Sequence, residues 1–338
     1  MHNLELIPEP RHDAVRVALQ SMGCQLEHTE FRPLKGGVSG ALIMRYEAHS
    51  RPYVLRIEPE RIMLKDRERG FACMVAAAAV GAAPAVHYAD VATGIAIMDF
   101  IAGRPLATFP GGPVPMARAL GALVKTVQAT APFTEVGDYR DAIGRHLENL
   151  ATSRFITAGQ LNRHIEGLAR IRAELSWDPS KLVSAHNDIN PRNLLFDGER
   201  VWLIDWELAF LNDPLVDIAI LTTEVVQTPV LTDVLLEAAF GAPPDYHLRA
   251  RLSVIRLLTR LFYGCIVLDS LVGRLPFPPD VGRAASSPDE FRAALVDGRL
   301  ASGSIETAYA FGMMSLSAFA NGLVEPGFAD TLKLAAKV

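Results

Sequence analysis

HNDINPRNLLFDGERVWLIDWELAFLNDPLVD, residues His186 to Asp217, is the stretch from which the rest of the chain is read. It holds two polar clusters. His186, Asp188 and Asn193 are spaced H-x-D-x-x-x-x-N, and Asp205-Trp206-Glu207 begins twelve residues after Asn193. Between them, Asn193-Leu194-Leu195-Phe196 and Val201-Trp202-Leu203-Ile204 flank Asp197-Gly198. Two such runs around an Asp-Gly turn predict a β-hairpin. A hairpin folds its ends together, so Asn193 and Asp205 become neighbours, with Asp188 on the loop just before.

Two oxygen ligands beside a further carboxylate is how the kinase fold arranges phosphoryl transfer. An Asn and an Asp hold Mg²⁺, and a loop Asp accepts the proton of the acceptor hydroxyl. The stretch resembles the catalytic signature of the aminoglycoside phosphotransferase and choline kinase superfamily, whose members phosphorylate small molecules. Those families keep H-x-D-x-x-x-x-N but carry Asp-Trp/Phe-Glu in place of the protein-kinase Asp-Phe-Gly, as at Asp205-Trp206-Glu207. Asn212-Asp213-Pro214 and Asp217-Ile218-Ala219 match the same pattern. Asn187, between His186 and Asp188, resembles the choline and ethanolamine kinase branch; aminoglycoside kinases more often carry Gly there. The resemblance implies an α+β, two-lobed, protein-kinase-like fold. Its small β-sheet lobe spans residues 1–102 and its mainly helical lobe residues 103–338.

Bulk properties agree with a cytoplasmic enzyme. At 338 residues the chain can bury a sizeable core, and half of its residues are hydrophobic. A net charge of −5 gives no support for nucleic-acid binding. Mild acidity suits a cationic substrate, though many unrelated enzymes are equally acidic. The three cysteines, Cys24, Cys73 and Cys265, are too few and too scattered for a disulfide framework or a zinc site. The first residues, MHNLELIPEP, lack the apolar core of a signal peptide, and no run approaches the length of a membrane span. A soluble, cytoplasmic protein is expected, with the oligomeric state left open.

Ahead of the central stretch the pattern is that of a strand-rich region. Residues Arg11 to Met22 have helical spacing, and Phe31 to Leu34 and Ala41 to Tyr46 read as strands around Gly36-Gly37-Val38-Ser39-Gly40. A glycine-rich turn lets backbone N–H groups approach phosphates, and Gly36, Gly37, Ser39 and Gly40 are the candidates. An ordinary hairpin turn accounts for the same residues in isolation. After an Arg51-Pro52 turn, the strand Tyr53 to Ile57 carries Arg56 where a kinase places its phosphate-binding lysine. A permanently charged guanidinium can bind phosphate oxygens bidentately. In the following Ala-rich helix, Leu64 to Val80, Glu68 is the candidate partner of Arg56 and Asp66 the rival. Strands are also predicted at Ala85 to Tyr88 and Ile95 to Phe100. The second resembles the kinase hinge, in which backbone groups, here of Asp99 and Ile101, hold the adenine.

From Val114 onward the pattern is helical: Val114 to Thr130, Tyr139 to Thr152 and Ala158 to Leu175, then Val216 to Val226, Val230 to Phe240 and Tyr246 to Leu271. Gly273 to Pro288 reads as a loop, and Ile305 to Gly322 and Pro326 to Lys337 as helices.

The resemblance assigns the roles. Asp188 is the base that orients the acceptor hydroxyl, and Asn193 and Asp205 are the Mg²⁺ ligands. His186 holds the catalytic loop, and Arg192 either touches phosphate or faces solvent. Asp217 is a buried acid whose counterpart accepts hydrogen bonds from the catalytic loop, the alternative being a helix cap. Glu207 is a metal-shell ligand or attracts a cationic acceptor. A quaternary ammonium is usually held by an aromatic cage, and the matching region, Arg256 to Leu268, offers Phe262 and Tyr263 but no tryptophan. Those two rings fit a helix core better than a cage. The expected cofactors are ATP and Mg²⁺, and the partner is a small-molecule hydroxyl acceptor. A choline- or ethanolamine-like amino alcohol leads; aminoglycoside, thiamine or sugar acceptors follow. A non-catalytic nucleotide-binding relative stands as a different class, against which the retention of Asp188, Asn193 and Asp205 argues.

Overall fold

The computed structural model describes residues 3–34, 40–60, 64–153, 155–156, 158–272, 274–275, 277–279 and 287–337. Contacts divide the chain into two compact units. The first gathers Met1–Glu135, Val183–Leu211 and Glu224–Ala242; the second gathers Val136–Leu182, Asn212–Thr223 and Pro243–Val338.

In the first unit, helix α1 (His12–Ser21) precedes five strands: β1 (Arg32–Pro33), β2 (Leu42–Ala48), β3 (Arg51–Ile57), β4 (Val86–Asp90) and β5 (Ile95–Asp99). They form one antiparallel sheet in the order β1-β2-β3-β5-β4. The β2–β3 turn falls at His49–Ser50, not at Arg51-Pro52 as the sequence predicts. Both residues take left-handed φ, 49° and 63°, which a two-residue hairpin turn with strand-matched twist requires. Successive strand residues face opposite ways. Tyr53, Leu55 and Ile57 therefore join Met44, Tyr46, Ile95, Ile97, Val15 and Leu19 in one buried cluster. The same alternation turns Arg56, paired with Ile43 and Ala96, to the other face of the sheet.

Helix α2 (Leu64–Ala79) follows β3 and buries Arg67, Phe71, Met74 and Ala77, one stripe at helical spacing. Helix α3 (Pro113–Gln128) also belongs to this unit. It packs against Pro229–Phe240, numbered α7 below, so tightly that a Cβ on Gly121 would lie 2.4 Å from the Leu235 carbonyl oxygen. The predicted hairpin is present. Strands β7 (Leu194–Phe196) and β8 (Val201–Leu203) pair in the register Leu194↔Leu203. Asp197 Oδ1 caps their turn by accepting the Glu199 and Arg200 N–H groups, each at 2.8 Å. Two three-residue strands that periodicity does not reveal, β6 (Val183–Ala185) and β9 (Phe210–Asn212), pair on either side of the hairpin in sequence.

The second unit is helical. Its elements are α4 (Tyr139–Thr152), α5 (Ala158–Glu174), α6 (Val216–Glu224), α8 (Tyr246–Val272), α9 (Pro288–Val296), α10 (Ile305–Gly322) and α11 (Phe328–Ala335); α7 (Pro229–Phe240) lies in the first unit. Helices α4, α10 and α11 pack on the long α8. Gly312 admits Leu268 so closely that a Cβ there would lie 2.5 Å from its Cγ. A buried ion pair, Arg251 to Asp213 at 2.6 Å, ties α8 to the Asn212-Asp213-Pro214 turn. Helix α9 begins at the last residue of the predicted loop. Ser287 Oγ accepts the Glu290 N–H, Pro288 occupies the first turn, and Asp289 and Glu290 add acid there. Each is a helix-start signal that the Gly- and Pro-rich run before it obscures.

Candidate active site

The open end of the hairpin is closed by hydrogen bonds to the loop before it. Ile204 N–H donates to the Asn193 carbonyl at 3.1 Å, so Asp205 lies one residue beyond Asn193's partner. His186 Nε2 bonds to the Ile204 carbonyl at 3.0 Å, while Asp188 N–H donates to His186 Nδ1 at 3.3 Å. An acceptor at Nδ1 and a carbonyl at Nε2 require the neutral tautomer protonated on Nε2. His186, fully buried with its ring 4.5 Å from that of Trp206, thus braces the loop against the hairpin.

Asp188 is oriented through both carboxylate oxygens. Asn193 Nδ2 donates to Oδ2 and Asn190 Nδ2 to Oδ1, each at 2.9 Å. Asn193 spends its amide nitrogen on Asp188, so its amide oxygen is the atom of that side chain with ligand chemistry. Asn190 also accepts the Arg192 N–H at 2.9 Å, and the Arg192 side chain is exposed. Asn187, at φ 63°, donates from Nδ2 to the Leu208 carbonyl at 2.9 Å and the Phe210 carbonyl at 3.3 Å. Gly and Asn are the residues that most readily occupy left-handed backbone, which gives a conformational reason for finding either at this position.

Asp205 is also left-handed, at φ 69° and ψ 72°. A non-glycine residue in this region is uncommon and tends to mark sites under functional constraint. Arg56 Nη2 lies 3.3 Å from Asp205 Oδ1 and bonds to Glu207 Oε1, and its Nε lies 3.5 Å from Glu58 Oε1. Burial alone would lower the Arg56 pKa, but Asp205, Glu207 and Glu58 outweigh it and hold the guanidinium more firmly charged. Burial and then the Asp205 charge push the Glu207 carboxyl above its ordinary range, against the pull of Arg56.

Glu68 is not brought to Arg56. It is exposed on α2, a step round the helix from the buried stripe that starts at Arg67; Asp66 instead pairs with Arg69 at 3.0 Å. The carboxylate beside Arg56 that comes from its own segment is Glu58. The alternation of β3 could have found it, because residues two apart share a face. Arg69 donates to the Glu207 carbonyl at 2.9 Å, and Gly70 packs against the Trp206-Glu207 backbone. No sequence signal marks these contacts. They are set by how α2 meets the Asp-Trp-Glu turn.

Gly36, Gly37 and Ser39 lie outside the described residues; Gly40 has a left-handed φ of 79°. Asp99 ends β5, where its N–H donates to the Ala85 carbonyl at 2.9 Å and its side chain meets His87 Nε2 at 2.8 Å. Ile101, two residues on, is half-buried. In the second unit, Asp217 is buried in the first turn of α6. Tyr263 is half-buried on α8, with its ring centroid 6.0 Å from that of Phe262 and 6.2 Å from that of Phe311. Phe262 is core, packed against Tyr139 at 4.8 Å.

The donor set suits a hard cation. Asn193 and Asp205 supply amide and carboxylate oxygens, the ligands Mg²⁺ takes. Among the described residues no group of three His, Cys, Asp or Glu side chains forms a metal cage. Mg²⁺ carried on nucleotide phosphates does not need one.

The sequence pattern of the phosphotransferase enzyme family matches residues 30–252, well over half of the chain. This chain belongs to that family. It has the kinase-like α+β fold that its signature implies. A choline/ethanolamine kinase family protein from Mesorhizobium loti has 23% identity and a TM-score of 0.68, over 96% of this phosphotransferase and 99% of that chain. The choline kinase LicA from Streptococcus pneumoniae has 13% identity and a TM-score of 0.62, over 92% and 100% of the two chains. A LicA structure in complex with AMP gives 0.60 at 13% identity, over the same shares of the two chains. At these identities the likeness is one of fold. Protein LicA from Haemophilus influenzae is 42% identical over 66 residues, which is 20% of this phosphotransferase and 25% of that protein. The match thus spans a quarter of the curated relative's length. No helix among the described residues is long and apolar enough to cross a membrane.

Proposed function

We propose that this phosphotransferase moves the γ-phosphoryl group of ATP to the hydroxyl of a small amino alcohol of the choline or ethanolamine type, in the cytoplasm. The observation that carries the reading is the hydrogen-bonded set His186, Asp188 and Asn193, closed onto Ile204 beside Asp205. Asp188 receives the acceptor hydroxyl as a hydrogen-bond donor and takes its proton as the bond to phosphorus forms. Its contribution is mainly orientation of the hydroxyl, the proton leaving late. Asn193 and Asp205 hold Mg²⁺, which when bound neutralises charge on the phosphates. Arg56 and the turn of Gly36, Gly37, Ser39 and Gly40 bind the phosphates, and the Asp99 carbonyl and Ile101 backbone hold the adenine. Glu207 attracts the cationic end of the acceptor. In this reading residues 1–102 form the nucleotide lobe and 103–338 the helical lobe.

The amino-alcohol choice is supported by Asn187 and by the names of the relatives, the choline kinase LicA and the choline/ethanolamine kinase family protein. One observation favours other acceptors: Phe262 is 4% exposed and packed among aromatic rings, so it is not part of a cation cage. An ADP-release screen of the full chain against choline, ethanolamine, thiamine, aminoglycosides and sugars decides between them. Turnover with choline or ethanolamine alone is the expected result. Kanamycin-type turnover would move the acceptor to an aminoglycoside, and no turnover with any would reject the amino-alcohol reading.

A further inference from the structure

Arg56 is the cation the proposed reaction needs on the phosphates, yet in the structure it is drawn to three carboxylates. Two of them, Asp205 and Glu207, belong to the turn that must free an oxygen for the metal. The third differs in kind. Glu58 is 5% exposed and held at every group the structure gives it: its N–H donates to the Gly94 carbonyl at 2.9 Å, and its carbonyl accepts from Arg11 Nη2 at 3.3 Å. Its second carboxylate oxygen accepts from Arg67 Nε at 3.1 Å. Arg67, 7% exposed, is itself pinned, donating to the carbonyls of Pro59 and Val91 at 3.2 Å and of Ala92 at 3.3 Å.

We propose that Glu58, anchored by Arg67, is the positioning residue for Arg56. It does the work that a helix acid does for the strand lysine in protein kinases, with the charges redistributed. The strand supplies both the cation and its acid, and the helix supplies a second cation that holds the acid still. With Mg·ATP bound, Asp205 would serve as a metal ligand in place of its contact with Arg56, and Glu58 would keep the guanidinium from following. Without the Glu58 charge, Arg56 settles wholly on Asp205 and Glu207 and competes with the metal for Asp205. Removing a negative charge near the phosphates would by itself favour ATP. Both Glu58 oxygens face guanidinium groups, however, so its charge is largely compensated, and the loss of positioning dominates.

The inference rests on Arg56 being the phosphate-binding cation, so the test begins with wild type, which should bind Mg·ATP in titration calorimetry. Failure there would remove the phosphotransfer reading and this proposal together. In Glu58→Gln, which keeps shape and loses charge, ADP and ATP should bind roughly tenfold more weakly, about 1.4 kcal/mol, with adenosine binding unchanged. Arg67→Lys, which keeps charge but loses the fork, should shift ATP affinity the same way by a smaller factor. The double variant should be no worse than Glu58→Gln, because the two residues act in series. Unchanged or tighter ATP binding in Glu58→Gln would overturn the proposal. So would an equal loss for adenosine and ATP, the mark of a pair that only ties α2 to the sheet.

Discussion

Asn193 faces two ways at once: its side-chain Nδ2 donates to Asp188 Oδ2 at 2.9 Å, and its carbonyl accepts the Ile204 N–H at 3.1 Å. One residue therefore couples the proposed base to the hairpin end that carries Asp205.

Asp188→Ala is expected to lower turnover by roughly 10²- to 10⁴-fold, the usual scale for losing a positioned base. Nucleotide affinity should stay within a few-fold of wild type, since Asn193 keeps its backbone bond to Ile204. Calorimetry and a coupled ADP assay on the same preparation separate the two quantities. Near-normal turnover would take Asp188 out of the mechanism.

The left-handed backbone of Asp205 makes alanine a poor probe there, because strain and lost charge would be mixed. Asp205→Asn keeps shape and tolerates φ 69°. It should raise the Mg²⁺ concentration needed for half-maximal ATP binding by roughly tenfold, about 1.4 kcal/mol. A binding curve that does not move with Mg²⁺ would show that Asp205 is not a ligand.

Asn187 separates conformation from hydrogen bonding. Asn187→Gly suits φ 63° but leaves the Leu208 and Phe210 carbonyls without its amide, and should cost about 1–3 kcal/mol in denaturant unfolding. Asn187→Val adds left-handed strain and should cost more. Equal stability of the two variants would mean that the backbone conformation carries no weight.

His164 gives a pH dependence in the second unit. The ring is buried against Phe319 with Nε2 bonded to the Leu316 carbonyl at 3.0 Å, and burial lowers its pKa from the ordinary 6.5. An unfolded chain takes up a proton near pH 6.5 while the folded one refuses it until lower pH, so protons favour unfolding within that window. This contribution is absent above the unfolded value. It grows as pH falls toward the folded one, by at most about 1.4 kcal/mol per pH unit. Thermal melts from pH 7.5 to about 5 should fall less steeply for His164→Gln than for wild type. Parallel curves would assign the acid sensitivity elsewhere.

The helices were legible because each is long enough to repeat its apolar spacing: the sequence predicts Tyr139–Thr152 and Ile305–Gly322 with the boundaries observed. The three-residue strands β6 and β9 carry no period, and their pairing is between distant segments. The loop from His186 to Asn193 and the hairpin after it were legible for a different reason. His186, Asp188, Asn193 and Asp205 lie within one short stretch, and a turn of known chemistry folds it.

Glu68 shows where such reading ends. A helix acid following the strand of Arg56 is a reasonable partner by order along the chain, but the rotation of α2 turns Arg67 inward and leaves Glu68 exposed. Order along the chain carries no information about that rotation, which is chosen when Phe71, Met74 and Ala77 find their packing.

By itself the amino-acid sequence determined the polar set on which the proposed chemistry of this phosphotransferase rests: the acid, amide and acid of a foldable ribbon, placed by local turns. The tertiary structure alone decided which charges meet. Arg56 and Asp205 are 149 residues apart, and Glu58 faces Arg67 because a strand and a helix dock at one angle among many. Local patterns are encoded by neighbours within a few residues, whereas ion pairs across the sheet, helix and hairpin depend on packing that no single segment contains.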